Sequence, residues 1–115
     1  MPESRISSMI DERAYRVRID ETLKRIDAAF EDVDPDLAES DYAQGSLVIT
    51  FKQTHKVIVS PQAPLRQLWV AFRDRAWHFG CDDHGRWLDD RGQNVELLSL
   101  IADLAKQNAG VDLRL

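Results

Sequence analysis

Cysteine is almost missing from this chain. Cys81 stands alone, so no intramolecular disulfide can form, and there is no CxxC pair to hold zinc or cycle between thiol and disulfide. Long hydrophobic runs are missing as well. No window approaches the about 18 consecutive apolar residues that span a bilayer. The opening MPESRISSMIDER is polar, carries acids and lacks an apolar stretch of signal-peptide length. The expectation is a cytoplasmic protein with nothing to cleave and no membrane partner. Neither a glycine-rich phosphate loop nor a Ser/His/Asp arrangement is present, and no Glu-x-x-His occurs to build a buried di-iron centre on facing helices. Between Asp27 and Asp41 lysine and arginine are absent altogether.

What fills that gap is acid. Asp27, Glu31, Asp32, Asp34, Asp36, Glu39 and Asp41 place seven carboxylates in fifteen residues. Like charges at this density repel one another and oppose compaction. The formal charge of −5 is therefore concentrated: Arg66, Arg73, Arg75, Arg86 and Arg91 leave the later part of the chain roughly balanced. Such a field repels nucleic acid and anionic lipid, and it attracts metal cations or a basic protein surface. With 43% hydrophobic and 30% charged residues in 115, the composition is that of one ordinary folded domain, residues 1–115, able to bury a single core.

Periodicity sets the architecture. Ile6, Met9 and Ile10 open a helical pattern that Tyr15, Ile19, Leu23, Ile26 and Phe30 continue at spacings of four, four, three and four. Asp20, Lys24, Asp27 and Glu31 run along the border of that stripe. Pro35 stops the helix near Asp32, and the acids at its end oppose the macrodipole, whose C-terminus prefers cations. From Asp36 onward the period changes to two. SLVITFKQTHKVIVS reads as two strands around a turn at Gln53 to His55, APLRQLWVAFRDRAWHF as two more around Asp74 and Arg75, and GRWLD as a further short one. Gly45 and Gly85 mark turns. A second helix is expected from about Asn94 to Asn108, with Asn94 as its cap and Gly110 as its stop, and the alternating VDLRL after it can lie along a hydrophobic groove. Turns this short make an antiparallel meander. Two helices with one apolar stripe each cover one face of it, so the fold class is α+β: a two-layer sandwich with both helices on one face of an antiparallel sheet of about five or six strands.

The uncovered face is where a binding site is sought. If Leu68, Val70 and Phe72 face the helices, Gln67, Trp69 and Ala71 face the other way. An exposed sheet tryptophan is either a binding anchor or a shield packed beneath an arginine such as Arg66 or Arg73. Asp32, Asp34 and Asp36 copy the first ligands of an EF-hand, but Leu37 stands at the sixth position, where glycine is needed, and Ala43 at the twelfth, where a glutamate is needed. A solvated acidic face competes with any ligand site there. Cys81, Asp82, Asp83 and His84 hold metal-ligand types, yet one short cluster lacks the geometry of a closed site, and a plain polar turn is the better reading. Cys81 with His78 or His84 has no orienting third group, and His78 alternates outward between Trp77 and Phe79. No catalytic constellation is visible.

Taken together, the acidic first helix and first strand, P-L-x-Q-x-W at Pro64 to Trp69, W-H-F at Trp77 to Phe79 and G-x-W-x-D-x-R-G at Gly85 to Gly92 span nearly the whole chain. The sequence resembles bacterial frataxin, the CyaY family. That resemblance implies a small iron-binding regulatory protein of iron-sulfur cluster assembly, not an enzyme, which contacts the cysteine desulfurase and the iron-sulfur scaffold protein. It implies an acidic ridge of Asp20, Asp27, Glu31, Asp32, Asp34, Asp36, Glu39 and Asp41 that takes weakly bound, exchangeable Fe2+ or Fe3+. Partner contacts are implied at Trp69, Gln67, Glu31 and Asp32. A monomer is expected, with iron-dependent oligomers left open. The alternatives are a ferroxidase or iron-storage protein and an acidic adaptor with no metal role.

Overall fold

The computed structural model describes residues 10–92 and 94–115. Helix α1 runs over Glu12–Ala29, with Tyr15, Ile19, Leu23 and Ile26 buried on one side. Its start is set by Asp11, which has an extended backbone and whose Oδ1 accepts the Ala14 N–H at 2.8 Å. Ile6 and Met9, where the expected pattern opens, lie outside the described residues. The end comes earlier than the predicted Asp32. After Ala29 the bonds shorten to three-residue turns, Phe30 N–H to Asp27 O and Glu31 N–H to Ala28 O, both 3.1 Å. No basic residue stands in the last turn to offset the acids there.

Six strands follow: β1 Ala38–Ala43, β2 Ser46–Phe51, β3 His55–Gln62, β4 Gln67–Phe72, β5 Arg75–Cys81 and β6 Trp87–Asp89. They pair in sequence order and antiparallel throughout, the expected meander. Each connection is built by left-handed residues. Gln44 and Gly45, at φ of 57° and 82°, make the two-residue hairpin that suits the right-handed twist of its strands. Lys52 and Gln53 turn β2 into β3, and Arg73 turns β4 into β5, so His55 and Arg75 join strands where turns were expected.

Helix α2 occupies Leu97–Ala109 and ends on Gly110 at φ 67°, where a side chain would strain the backbone. Its cap is Glu96 and not Asn94: the carboxylate accepts the Leu98 N–H at 2.8 Å and the Ser99 N–H at 3.1 Å. The reason is tertiary. Asp89 N–H donates to Val95 O, and Glu96 bridges Leu88, so residues 95–96 extend the sheet before the helix can begin. Both helices pack on the face formed by Leu47, Ile49, Val59, Leu68, Val70 and Phe79, all buried. The tail packs against the same core, with Val111 buried and Leu113 and Leu115 half-buried. One polar group lies inside: Asp89 is 6% exposed, and neither carboxylate oxygen has a hydrogen-bond partner among the described residues. No helix among the described residues is long and apolar enough to cross a membrane.

Candidate metal- and partner-binding surface

The eight ridge carboxylates divide into three settings. Asp20 and Asp27, two helical turns apart on α1, are half-buried against β1 and already bonded. Asp20 takes the Lys24 ammonium at 3.0 Å and the Tyr42 hydroxyl at 3.0 Å, and these two bonds hold its carboxyl below the ordinary range. Burial, and then Asp20, push the Tyr42 phenol up. Asp27 accepts a bond from the Ser40 hydroxyl. Glu31, Asp32, Asp34 and Asp36 form the second group, exposed on the turn that leaves α1. Asp34 accepts the Asp36 N–H at 2.9 Å, and Asp36 accepts Gln53 Nε2 at 3.1 Å. Glu39 and Asp41 are the third. Alternation along β1 turns Ser40 and Tyr42 toward α1 and leaves Glu39 and Asp41 exposed on the open sheet face.

An open groove of about 340 Å3 runs between the end of α1 and β1, lined by Asp27, Glu31, Glu39 and Ser40 with Phe30, Val33, Pro35 and Ala38 beneath. Among the described residues no three His, Cys, Asp or Glu side chains converge as a metal cage. The donor set is hard carboxylate oxygen, suited in kind to iron, magnesium or calcium, and its spacing permits surface association rather than full encapsulation.

On the open face Trp69 is half-buried, with Ala71 exposed beside it and Leu68 and Val70 buried on the other face, as the alternation required. Its indole does not lie beneath an arginine. Register pairs Trp69 with His78, and their rings stack at 4.1 Å with an interplanar angle of 13°. The indole N–H donates to Gln67 Oε1 at 2.8 Å. Gln67 Nε2 in turn donates to Asp90 Oδ2 at 3.1 Å, and His78 Nδ1 stands 3.9 Å from the same oxygen. Tyr15 reaches across the core to bond the Gln67 carbonyl at 2.7 Å, which ties the start of β4 to α1. The two arginines considered as shields are employed elsewhere: Arg66 donates to the Ala63 carbonyl at 2.8 Å, and Arg73 bonds His55. Sequence reasoning placed His78 outward but did not join it or Asp90 to Trp69, because only the β4–β5 register and the return after β6 do so.

The Cys81–His84 turn is a structural device. Burial raises the Cys81 thiol, which lowers its reactivity. Burial pushes the Asp82 carboxyl up, but bonds from the Arg86 and His84 N–H groups and the Arg86 guanidinium outweigh it and hold the group below the ordinary range. The carboxylate is occupied in closing the turn.

The Frataxin-like domain family matches residues 8–111. The chain is 36% identical over 101 residues to a protein of Dechloromonas aromatica named iron-sulfur cluster assembly protein CyaY, covering 88% of this chain and 94% of that one. A protein of Tolumonas auensis with the same name is 35% identical over 85 residues, covering 74% and 79%. Frataxin from Psychromonas ingrahamii superposes with a TM-score of 0.81 at 21% identity over 90% of this chain and 96% of that one, which shows the shared fold.

Proposed function

This chain belongs to the frataxin-like family, and on that premise we propose that it is an iron-responsive regulatory component of iron-sulfur cluster assembly, acting in the cytoplasm by binding rather than by catalysis. Iron, as Fe2+ or Fe3+, is its cargo. It associates weakly and exchangeably with the exposed acids Glu31, Asp32, Asp34, Asp36, Glu39 and Asp41, while Asp20 and Asp27 define the inner border. The same ridge meets a basic surface of the cysteine desulfurase, and Trp69 and Gln67 contact the desulfurase–scaffold complex. One observation carries this reading. Glu39 and Asp41 share the uncovered sheet face with Trp69, three strands away, or about 15 Å at the usual strand spacing. A single partner can therefore engage both charge and indole.

The test is a titration of isotope-labelled protein, first with ferrous iron and then with the desulfurase. Amide responses gathered over residues 27–41 for iron, and over those residues plus 67–71 for the partner, are the expected result. Responses scattered over the helical face, or none, overturn it. Oxygen consumption beside the iron titration separates binding from ferroxidase turnover: stoichiometric binding without catalytic oxygen uptake is expected.

A further inference from the structure

The most constrained feature of the open face is the closed circuit of side chains around Trp69. Four groups from β4, β5 and the segment after β6 return to one another: the indole N–H to Gln67, the Gln67 amide to Asp90, the Asp90 carboxylate beside His78, and the His78 ring on the indole. Asp90 is itself fixed from behind, since its backbone N–H donates to the His78 carbonyl at 2.9 Å. We infer that His78 and Asp90 are positioning residues which, through Gln67, clamp the Trp69 indole in a single orientation for its partner. The inference rests on the functional reading above in one respect only, that Trp69 is a contact residue.

Shielding alone does not require this arrangement. Any apolar neighbour covers one face of an indole, but a stack with no polar circuit leaves the ring free to turn over. Here the ring plane is fixed by His78 and the in-plane direction by Gln67, so both side-chain torsions are determined. Gln67 could bond water as readily, yet its amide is oriented at both ends, oxygen to the indole and nitrogen to Asp90. Trp69 is only partly buried, so some of its surface stays accessible to a partner. An anchor ordered beforehand spares the complex the cost of immobilising it, which for one rotamer-rich side chain corresponds to about a three- to tenfold change in affinity.

The experiment compares the unmodified protein with His78→Ala, Asp90→Ala and His78→Phe, and repeats His78→Ala on a Trp69→Ala background. In the free protein, 15N relaxation of the Trp69 indole N–H is measured against that of Trp87, whose indole is buried and bonded to Thr22 at 2.9 Å. Affinity is measured for the purified cysteine desulfurase together with its scaffold protein. The two indoles should be equally rigid in the unmodified protein. His78→Ala and Asp90→Ala should loosen only Trp69 and weaken binding by about three- to tenfold. His78→Phe should restore rigidity and affinity together, and His78→Ala should add nothing once Trp69 is gone. An indole that stays rigid in His78→Ala, or an equal affinity loss on the Trp69→Ala background, overturns the clamp. If the unmodified protein binds neither partner, the functional reading fails, and the clamp stands or falls on the relaxation data.

Discussion

Trp69 and Trp87 occupy the same sheet with opposite assignments, and truncating each separates display from packing. Trp87 is 2% exposed, meets Tyr15 edge-on at 6.2 Å and bonds Thr22. Trp87→Ala should therefore cost about 3–5 kcal/mol. Trp69→Ala loses partly buried area and one aromatic stack, and should cost about 1 kcal/mol while weakening partner binding by about 2 kcal/mol or more. Denaturant melts paired with affinities check both; a severe loss of stability in Trp69→Ala would assign the residue to the core. Asp89 poses the reverse case. A buried carboxylate without a partner among the described residues is a cost to the fold, so Asp89→Asn, which keeps the shape and removes the carboxylate, should raise stability by about 1 kcal/mol or more. A fall of that size in urea melts would show instead that the charge is bonded in solution.

At the scale of elements, the end of α1 trades stability for charge. Glu31 and Asp32 follow the last turn, where the macrodipole disfavours acids, and neither side chain is held by a bond among the described residues. Glu31→Gln with Asp32→Asn should leave stability equal or raise it by a few tenths of a kcal/mol, while weakening iron and desulfurase binding. A clear drop in the melting temperature of the iron-free protein would make these acids structural. The turn after β5 responds to acid in the opposite sense. Asp82 and Asp20 both have folded pKa values below their unfolded ones, so their contribution is present above the unfolded carboxylate value of about 3.9 and is lost as pH falls through the folded values. Thermal melts between pH 5 and about pH 2 should show a decline that Asp82→Asn makes shallower. An identical decline in the variant would remove Asp82 from the account.

For the whole molecule, the decisive asymmetry is between faces. One face of the sheet is buried under two helices; the other presents acids at the β1 edge and an ordered indole three strands away. Long-range attraction from the ridge should speed encounter with a basic partner, and the Debye length falls from about 8 Å at physiological ionic strength to about 3 Å at 1 M. Association rates should accordingly fall steeply with added salt, while dissociation, governed by the indole contact, changes little. Stopped-flow measurements across a salt series decide this, and a flat association rate would point to an apolar interface alone.

Much of this molecule is legible one segment at a time. A period of 3.6 through Tyr15, Ile19, Leu23 and Ile26, a period of two through β2 to β5, and short turns between them determine two helices, a meander and a two-layer sandwich, because periodicity is a local property of the chain. The same alternation was enough to turn Trp69 and His78 outward. It could not say that they touch. That depends on the β4–β5 register, and the arrival of Asp90 depends on where β6 ends. Likewise the acids form one run in the sequence, yet β1 splits them, two half-buried against Ser40 and Tyr42 and two on the open face, once that strand pairs with β2 and α1 packs beside it. The cap of α2 moved from Asn94 to Glu96 for a related reason, since Val95 is drawn into the sheet by Asp89. In each case the deciding contact joins elements distant in sequence, and only the assembled sheet brings its two halves within reach.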